Sequence, residues 1–167
     1  MHSQMLRVTD NLMPESRRTP IAILAGAGLF IFALTVSAVF VPALRLLHAF
    51  QALIYVAVIV LTRRHSGWGF GIGVFIATLW NGFQFFLTHL IQAGARQLWL
   101  LTRTGTLSRP DTLMVAVGGV AHCVLIVGCL ARFVQLRPDM RKWSQFLAGG
   151  LLALAYFGLI VLLLLPR

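Results

Sequence analysis

Long apolar stretches constrain this chain more than any other feature of its sequence. Five can be separated, at 20–41, 43–62, 67–93, 112–132 and 145–165. A helix needs about 20 mostly apolar residues to cross a bilayer, and each stretch is long enough. We therefore expect an all-α, polytopic integral membrane bundle of about five transmembrane helices. It would form a single transmembrane domain, 20–167, after a cytoplasmic N-terminal segment, 1–19.

Composition supports a membrane location and argues against a nucleic-acid partner. The chain is 59% hydrophobic and only 11% charged, with a mean hydropathy of +0.87, whereas a soluble domain has about 25% charged residues. The formal charge of +10 comes from basic residues that lie almost entirely between the apolar stretches. This distribution is typical of topology signals facing lipid headgroups. The expected partner is the lipid bilayer, and no nucleic acid is expected.

The basic residues also predict an orientation. Segments 1–19, 63–66 and 132–144 would share one side and hold nine of the 14 Lys and Arg residues. The positive-inside rule then places the N-terminus in the cytoplasm, and we expect a plasma membrane of the bacterial type. The tripeptide VSA at 36–38 resembles a signal-peptide cleavage site. Its apolar run exceeds the usual 7–15 residues, which favours an uncleaved anchor, whereas cleavage would leave four spans.

A segment after the third stretch is too polar to cross a membrane. Residues 95–104, ARQLWLLTRT, combine leucines and a tryptophan with flanking arginines. This pattern predicts an interfacial helix lying along the outer surface. The alternative is that the third span continues straight out of the membrane as one long helix.

Two neighbouring spans carry polar residues on one face each, which raises the question of how these groups are satisfied in hydrocarbon. Counting from the turn near residue 65 places the two faces at the same depth, in the outer half of the membrane, so we expect them to bond to each other. These polar residues either hold the second and third spans together as a helical hairpin or also form a ligand-binding cluster. Its candidate residues are Arg45, His48 and Gln51 from the second span and Asn81 and Gln84 from the third.

Haem b and a quinone are the two cofactors considered for this part of the chain. Haem in membrane bundles is held between imidazoles of neighbouring helices, and the candidates are His48, His89 and His122. No two of them are matched in depth. A quinone or a lipid headgroup between Arg45, His48 and Asn81 demands less geometry and is the alternative ligand. No other metal site is expected.

Small residues recur every four positions in the third span. Gly69, Gly73 and Ala77 form a stripe that leads to Asn81. Such stripes allow close approach of helix backbones. We expect this stripe to mediate helix packing, including packing against partner subunits.

Motifs for catalysis and coupled transport are absent from the sequence. It contains no Gly-rich phosphate loop after a strand, no HExxH, no CxxC and no GxSxG. Its four carboxylates lie outside the five stretches, whereas coupled carriers commonly use an intramembrane acid. We therefore expect a non-catalytic accessory or scaffold subunit that packs against other membrane subunits or against copies of itself. The alternatives are a redox or quinone/haem-binding subunit and, further, a small transporter or an oligomeric channel.

Overall fold

Helices account for all the regular structure in the part of the chain that is described. The computed structural model describes residues 15–164, with side chains for residues 20–162. Five helices are long and apolar enough to cross a membrane, which confirms the predicted all-α architecture. Most of the predicted N-terminal segment, 1–19, lies outside the described residues. The helices are α1 (Glu15–Phe40), α2 (Arg45–Arg63), α3 (Gly67–Gly82), α4 (Leu90–Thr104), α5 (Pro110–Gln135) and α6 (Met140–Leu164).

Proline and aspartate mark several of the helix starts. Pro42 opens a short 3₁₀ turn that leads into α2, and Pro110 is the first residue of α5. Proline suits the first turn because the N–H it lacks would have no intrahelical partner. Asp139 precedes α6, and its Oδ1 accepts a hydrogen bond from the backbone N–H of Lys142 at 2.8 Å. This is an N-cap, which satisfies one free donor of the first turn.

The third apolar stretch does not form one helix, which corrects the predicted span of 67–93. After α3 the chain makes a π-helical turn at Phe83–Leu87, and His89 takes a left-handed conformation with φ of 55°. A left-handed residue cannot continue an α-helix. The segment that is long and apolar enough to span a membrane ends at Leu87, and the alternative of one long continuous helix is wrong.

Helix α4 packs against the beginning of α5 as an antiparallel neighbour. A Cβ on Gly94 would lie 2.5 Å from the carbonyl oxygen of Thr112. Further along, Gln97 Oε1 accepts hydrogen bonds from Ser108 Oγ at 3.0 Å and from the backbone N–H of Arg109 at 3.2 Å. The predicted surface segment 95–104 is therefore part of a longer helix with a protein partner along one side.

Helices α3 and α5 form the centre of the bundle. Helix α5 packs against α1, α3 and α4, and α3 packs against α2, α5 and α6. The α1–α5 pair is antiparallel: a Cβ on Gly26 would lie 2.7 Å from the backbone nitrogen of Leu125. The α3–α6 pair is parallel, with Gly71 against the carbonyl of Phe146 and Gly149 against that of Trp68. Glycine at these crossings lets the backbones touch.

The predicted stripe of small residues packs inside the chain. A Cβ on Gly69 would lie 2.7 Å from the backbone nitrogen of Thr62 in α2, and one on Gly73 would lie 2.8 Å from Cys129 Sγ in α5. Ala77 is fully buried. These three residues are therefore not free to contact a partner subunit, which corrects that part of the expectation.

Candidate functional site: a polar cavity beside a buried hydrogen-bond chain

A chain of hydrogen bonds joins three helices in the core. The Tyr55 hydroxyl of α2 lies 2.7 Å from His122 Nε2 of α5, and His122 Nδ1 lies 2.8 Å from Asn81 Oδ1 of α3. Asn81 Nδ2 donates to the carbonyl oxygen of Gly119 at 3.2 Å. Tyr55 and His122 are fully buried. We call this the Tyr–His–Asn chain.

The backbone carbonyl of Gly119, at one end of this chain, determines the direction of each hydrogen bond. Because the Gly119 carbonyl only accepts, the amide nitrogen of Asn81 must face it, which turns Oδ1 toward His122. The Nδ1 of His122 then carries the proton and donates, and its Nε2 accepts from the Tyr55 hydroxyl. Phe30 of α1 packs on the imidazole with ring centroids 4.0 Å apart. The arrangement fixes one neutral tautomer.

This chain changes the interpretation of two predicted residues. Both ring nitrogens of His122 are engaged, so this residue has no nitrogen left for haem iron. Asn81 was expected to bond to the second span, but its partners lie on α5. The Asn81 side chain therefore fixes α3 to α5 rather than α3 to α2.

A cavity of about 240 Å³ lies next to this chain, between α1, α2, α3 and α5. Four of its lining side chains have a buried polar atom without a hydrogen-bonding partner among the described residues. Gln51 and Trp80 are only 5% and 3% exposed. The four atoms are His48 Nδ1, Gln51 Oε1, Trp80 Nε1 and Gln84 Oε1. We call this site the polar cavity.

The polar cavity holds an acid but no Lys or Arg among its lining residues. Asp111, at the start of α5, lines it and forms an ion pair of 3.1 Å with Arg109. Thr112 and Ser37 add hydroxyl groups, and the remaining walls are apolar. A phosphate or carboxylate would meet the Asp111 carboxylate here without a cation lining the site, so the cavity favours an uncharged ligand.

Three of the five predicted cluster residues meet at this cavity: His48, Gln51 and Gln84. Arg45 does not line it. This side chain is exposed, and its Nε donates to the Ala38 carbonyl of α1 at 3.1 Å. Asn81 belongs to the neighbouring Tyr–His–Asn chain.

Sequence reasoning missed Trp80 and Asp111. The indole N–H of a buried tryptophan usually has an acceptor, and the position of Trp80 next to Asn81 was the available signal. Asp111 was placed outside the five spans, but it lies in the first turn of α5. The third haem candidate, His89, is exposed at the helix break.

The described residues contain no group of three or more His, Cys, Asp or Glu side chains arranged to hold a metal ion. No protein-family model, curated protein or solved structure matches this chain.

Proposed function

We propose that this chain is a non-catalytic integral membrane subunit whose polar cavity binds an uncharged amphipathic molecule of the quinone type. One observation carries the proposal: four side chains that line one cavity, from α2, α3 and the π-helical turn after α3, each have a buried polar atom without a hydrogen-bonding partner among the described residues. A buried polar group without a partner costs about 1–3 kcal/mol. Four such groups in one place indicate a site that is completed by a ligand.

The chemistry of the four groups suits a ring with oxygen substituents. The indole N–H of Trp80 is a donor for a quinone carbonyl, and the Gln51 and Gln84 amides accept from a quinol hydroxyl. His48 can take either role. A volume of about 240 Å³ is below the roughly 300 Å³ typical of the smallest drug-sized sites. It therefore suits a headgroup whose hydrocarbon tail lies outside in lipid.

Binding of a short-chain benzoquinone to the purified protein in nanodiscs tests this proposal. The matched ligand is a benzene derivative that carries the same tail and no ring oxygen. We expect saturable binding of the quinone only. Gln51→Leu should raise its Kd about five-fold, since a buried hydrogen bond contributes about 1 kcal/mol. Equal binding of both ligands would refute the proposal.

The stability of the Gln51→Leu variant without ligand shows whether Gln51 serves ligand binding or helix packing. Without ligand, the substitution removes a buried acceptor that has no hydrogen-bonding partner among the described residues, so the variant should unfold at a higher temperature than the wild type. At the same concentration, added quinone should stabilise the wild type more than the variant. A destabilised ligand-free variant would mean that Gln51 serves packing alone.

An accessory or scaffold role is the second candidate. Gly28 in α1 and Gly158 in α6 are two of the four glycines that have nothing within 4 Å of an added Cβ among the described residues. Their small size is therefore not needed inside the chain, but it would permit close approach of a partner subunit or a second copy. Gly158→Leu should preserve folding and disrupt co-purification of that partner. Unchanged co-purification would remove this support.

We further propose that the N-terminus faces the cytoplasm of a bacterial-type plasma membrane. The support is the excess of Lys and Arg in segments 1–19, 63–66 and 132–144. This orientation places the polar cavity in the outer half of the bilayer, near the ends of α1, α3 and the start of α5.

A further inference from the structure

A second cavity, of about 260 Å³, lies at the opposite end of the bundle between α1, α2 and α5. Its polar lining includes Arg63 from the end of α2, His65 from the following turn and Arg132 from the end of α5. Isoleucine and leucine side chains of α1 and α2, including Ile21, Leu24 and Ile59, form most of the remaining wall, together with Pro20 and Thr62. We call this site the basic cavity.

The positive charge at the basic cavity is not neutralised by a described carboxylate. The ion pair between described side chains, Arg109–Asp111, lies at the other end of the molecule. Arg132 is half-buried, and its Nε has no partner among the described residues. Asp139, the described carboxylate at this end, caps α6. Its carboxylate pairs with neither arginine of the cavity.

Charge compensation of helix ends explains only part of this cluster. Arg63 and Arg132 lie in the last turns of α2 and α5, where a helix terminus carries about −0.5 elementary charge. Two such termini offset about one of the two arginine charges. His65 and the unpartnered Nε of Arg132 remain unexplained by this effect.

His65 occupies a backbone position where glycine is the usual residue. Its φ is 54°, and the turn has the Schellman pattern: His65 N–H donates to Thr62 and Ser66 N–H donates to Leu61, at 3.0 and 3.1 Å. A side chain in this conformation costs roughly 1 kcal/mol or more. Such strain is concentrated at functional sites, and here it places an imidazole at the basic cavity.

We propose that the basic cavity binds the phosphate group of an anionic glycerophospholipid. The two arginines and His65 supply charge and hydrogen bonds for the phosphate, and the apolar wall of α1 and α2 supplies contact for the acyl chains. Free phosphate would leave that apolar wall unused. The site therefore fits a lipid better than a soluble anion.

Lipid binding to the purified protein in neutral detergent tests this assignment. Phosphatidylglycerol and phosphatidylcholine with identical acyl chains are added, and bound lipid is counted by native mass spectrometry alongside the thermal unfolding temperature. We expect phosphatidylglycerol to bind at least five-fold more tightly. Arg63→Gln and Arg132→Gln should each weaken it about five-fold, which corresponds to about 1 kcal/mol. Arg63 is exposed, so its variant should fold.

Arg64→Gln is the matched control, since Arg64 is exposed and does not line the cavity. It should change phosphatidylglycerol binding less than two-fold. His65→Gly should keep or raise the unfolding temperature while weakening lipid binding. Equal binding of the two lipids, or an Arg64→Gln loss as large as that of Arg63→Gln, would overturn the proposal. Stabilisation by inorganic phosphate as large as that by phosphatidylglycerol would overturn a lipid occupant.

Discussion

At the scale of single residues, the Tyr–His–Asn chain makes a sharp prediction about hydrogen-bond loss. Tyr55→Phe leaves His122 Nε2 buried without a donor, so we expect a destabilisation of about 1–2 kcal/mol. Tyr156→Phe is the matched change, because its hydroxyl donates to the Phe50 carbonyl of α2. A mid-helix carbonyl keeps its helical hydrogen bond. In a sodium dodecyl sulphate titration, the free energy of unfolding should therefore fall less for Tyr156→Phe than for Tyr55→Phe. Equal losses of stability would contradict the importance of the buried hydrogen bond between Tyr55 and His122.

A double-mutant cycle tests which helix Asn81 contacts. Asn81 Oδ1 and His122 Nδ1 are 2.8 Å apart, so Asn81→Leu and His122→Leu should be coupled by about 0.5–2 kcal/mol. Asn81→Leu and His48→Leu should be additive within about 0.5 kcal/mol, since His48 lines the polar cavity and has no bond to Asn81. Coupling of the second pair alone would instead support the expected contact between the two spans.

Sequence periodicity predicted which polar residues share one face of a helix, but not which neighbouring helix that face contacts. It grouped His48, Gln51 and Gln84, which do line one cavity. It paired Asn81 with the same face, whereas this side chain turns to α5. In a bundle each helix has several neighbours, and a spacing of three or four residues gives an angle on one helix only. The choice of neighbour depends on tertiary packing.

At the scale of the helices, the distance to the neighbouring backbone determines how much a methyl group added at a glycine changes stability. Gly71 faces the Phe146 carbonyl in the parallel α3–α6 pair. Gly71→Ala would force these backbones apart, and we expect a loss of about 1–3 kcal/mol in stability. Gly158→Ala in α6 should be nearly neutral, because its Cβ would meet no atom of the described residues within 4 Å. The same detergent titration distinguishes them, and a neutral Gly71→Ala would refute this helix contact.

The five apolar segments could be predicted because length and hydropathy suffice to identify a spanning helix. The break at His89 could not, since neither glycine nor proline stands there and a histidine with φ of 55° is rare. The packing of α4 on α5 was also not visible. It rests on Gly94 and on the bonds of Gln97 to the turn before α5, which are contacts between segments that the sequence does not pair.

At the scale of the whole molecule, the two ends differ in chemistry. The polar cavity has amides, an imidazole, an indole and the paired Asp111. The basic cavity has two arginines and His65. An uncharged ligand at one end and an anionic headgroup at the other are compatible with simultaneous occupation, because separate groups of side chains line the two cavities.

The order of the five spanning helices determines on which side each turn lies, and this can be measured. Ser66 precedes α3 and Ser144 lies in the first turns of α6, whereas Ser108 precedes α5. With Cys123 and Cys129 replaced by serine or alanine, single cysteines at these positions report their side to a membrane-impermeant maleimide. We expect labelling of intact cells at Ser108→Cys only, and labelling at Ser66→Cys and Ser144→Cys after permeabilisation. The opposite pattern would keep the fold and reverse the orientation, and labelling of all three on one side would contradict the five-span arrangement itself.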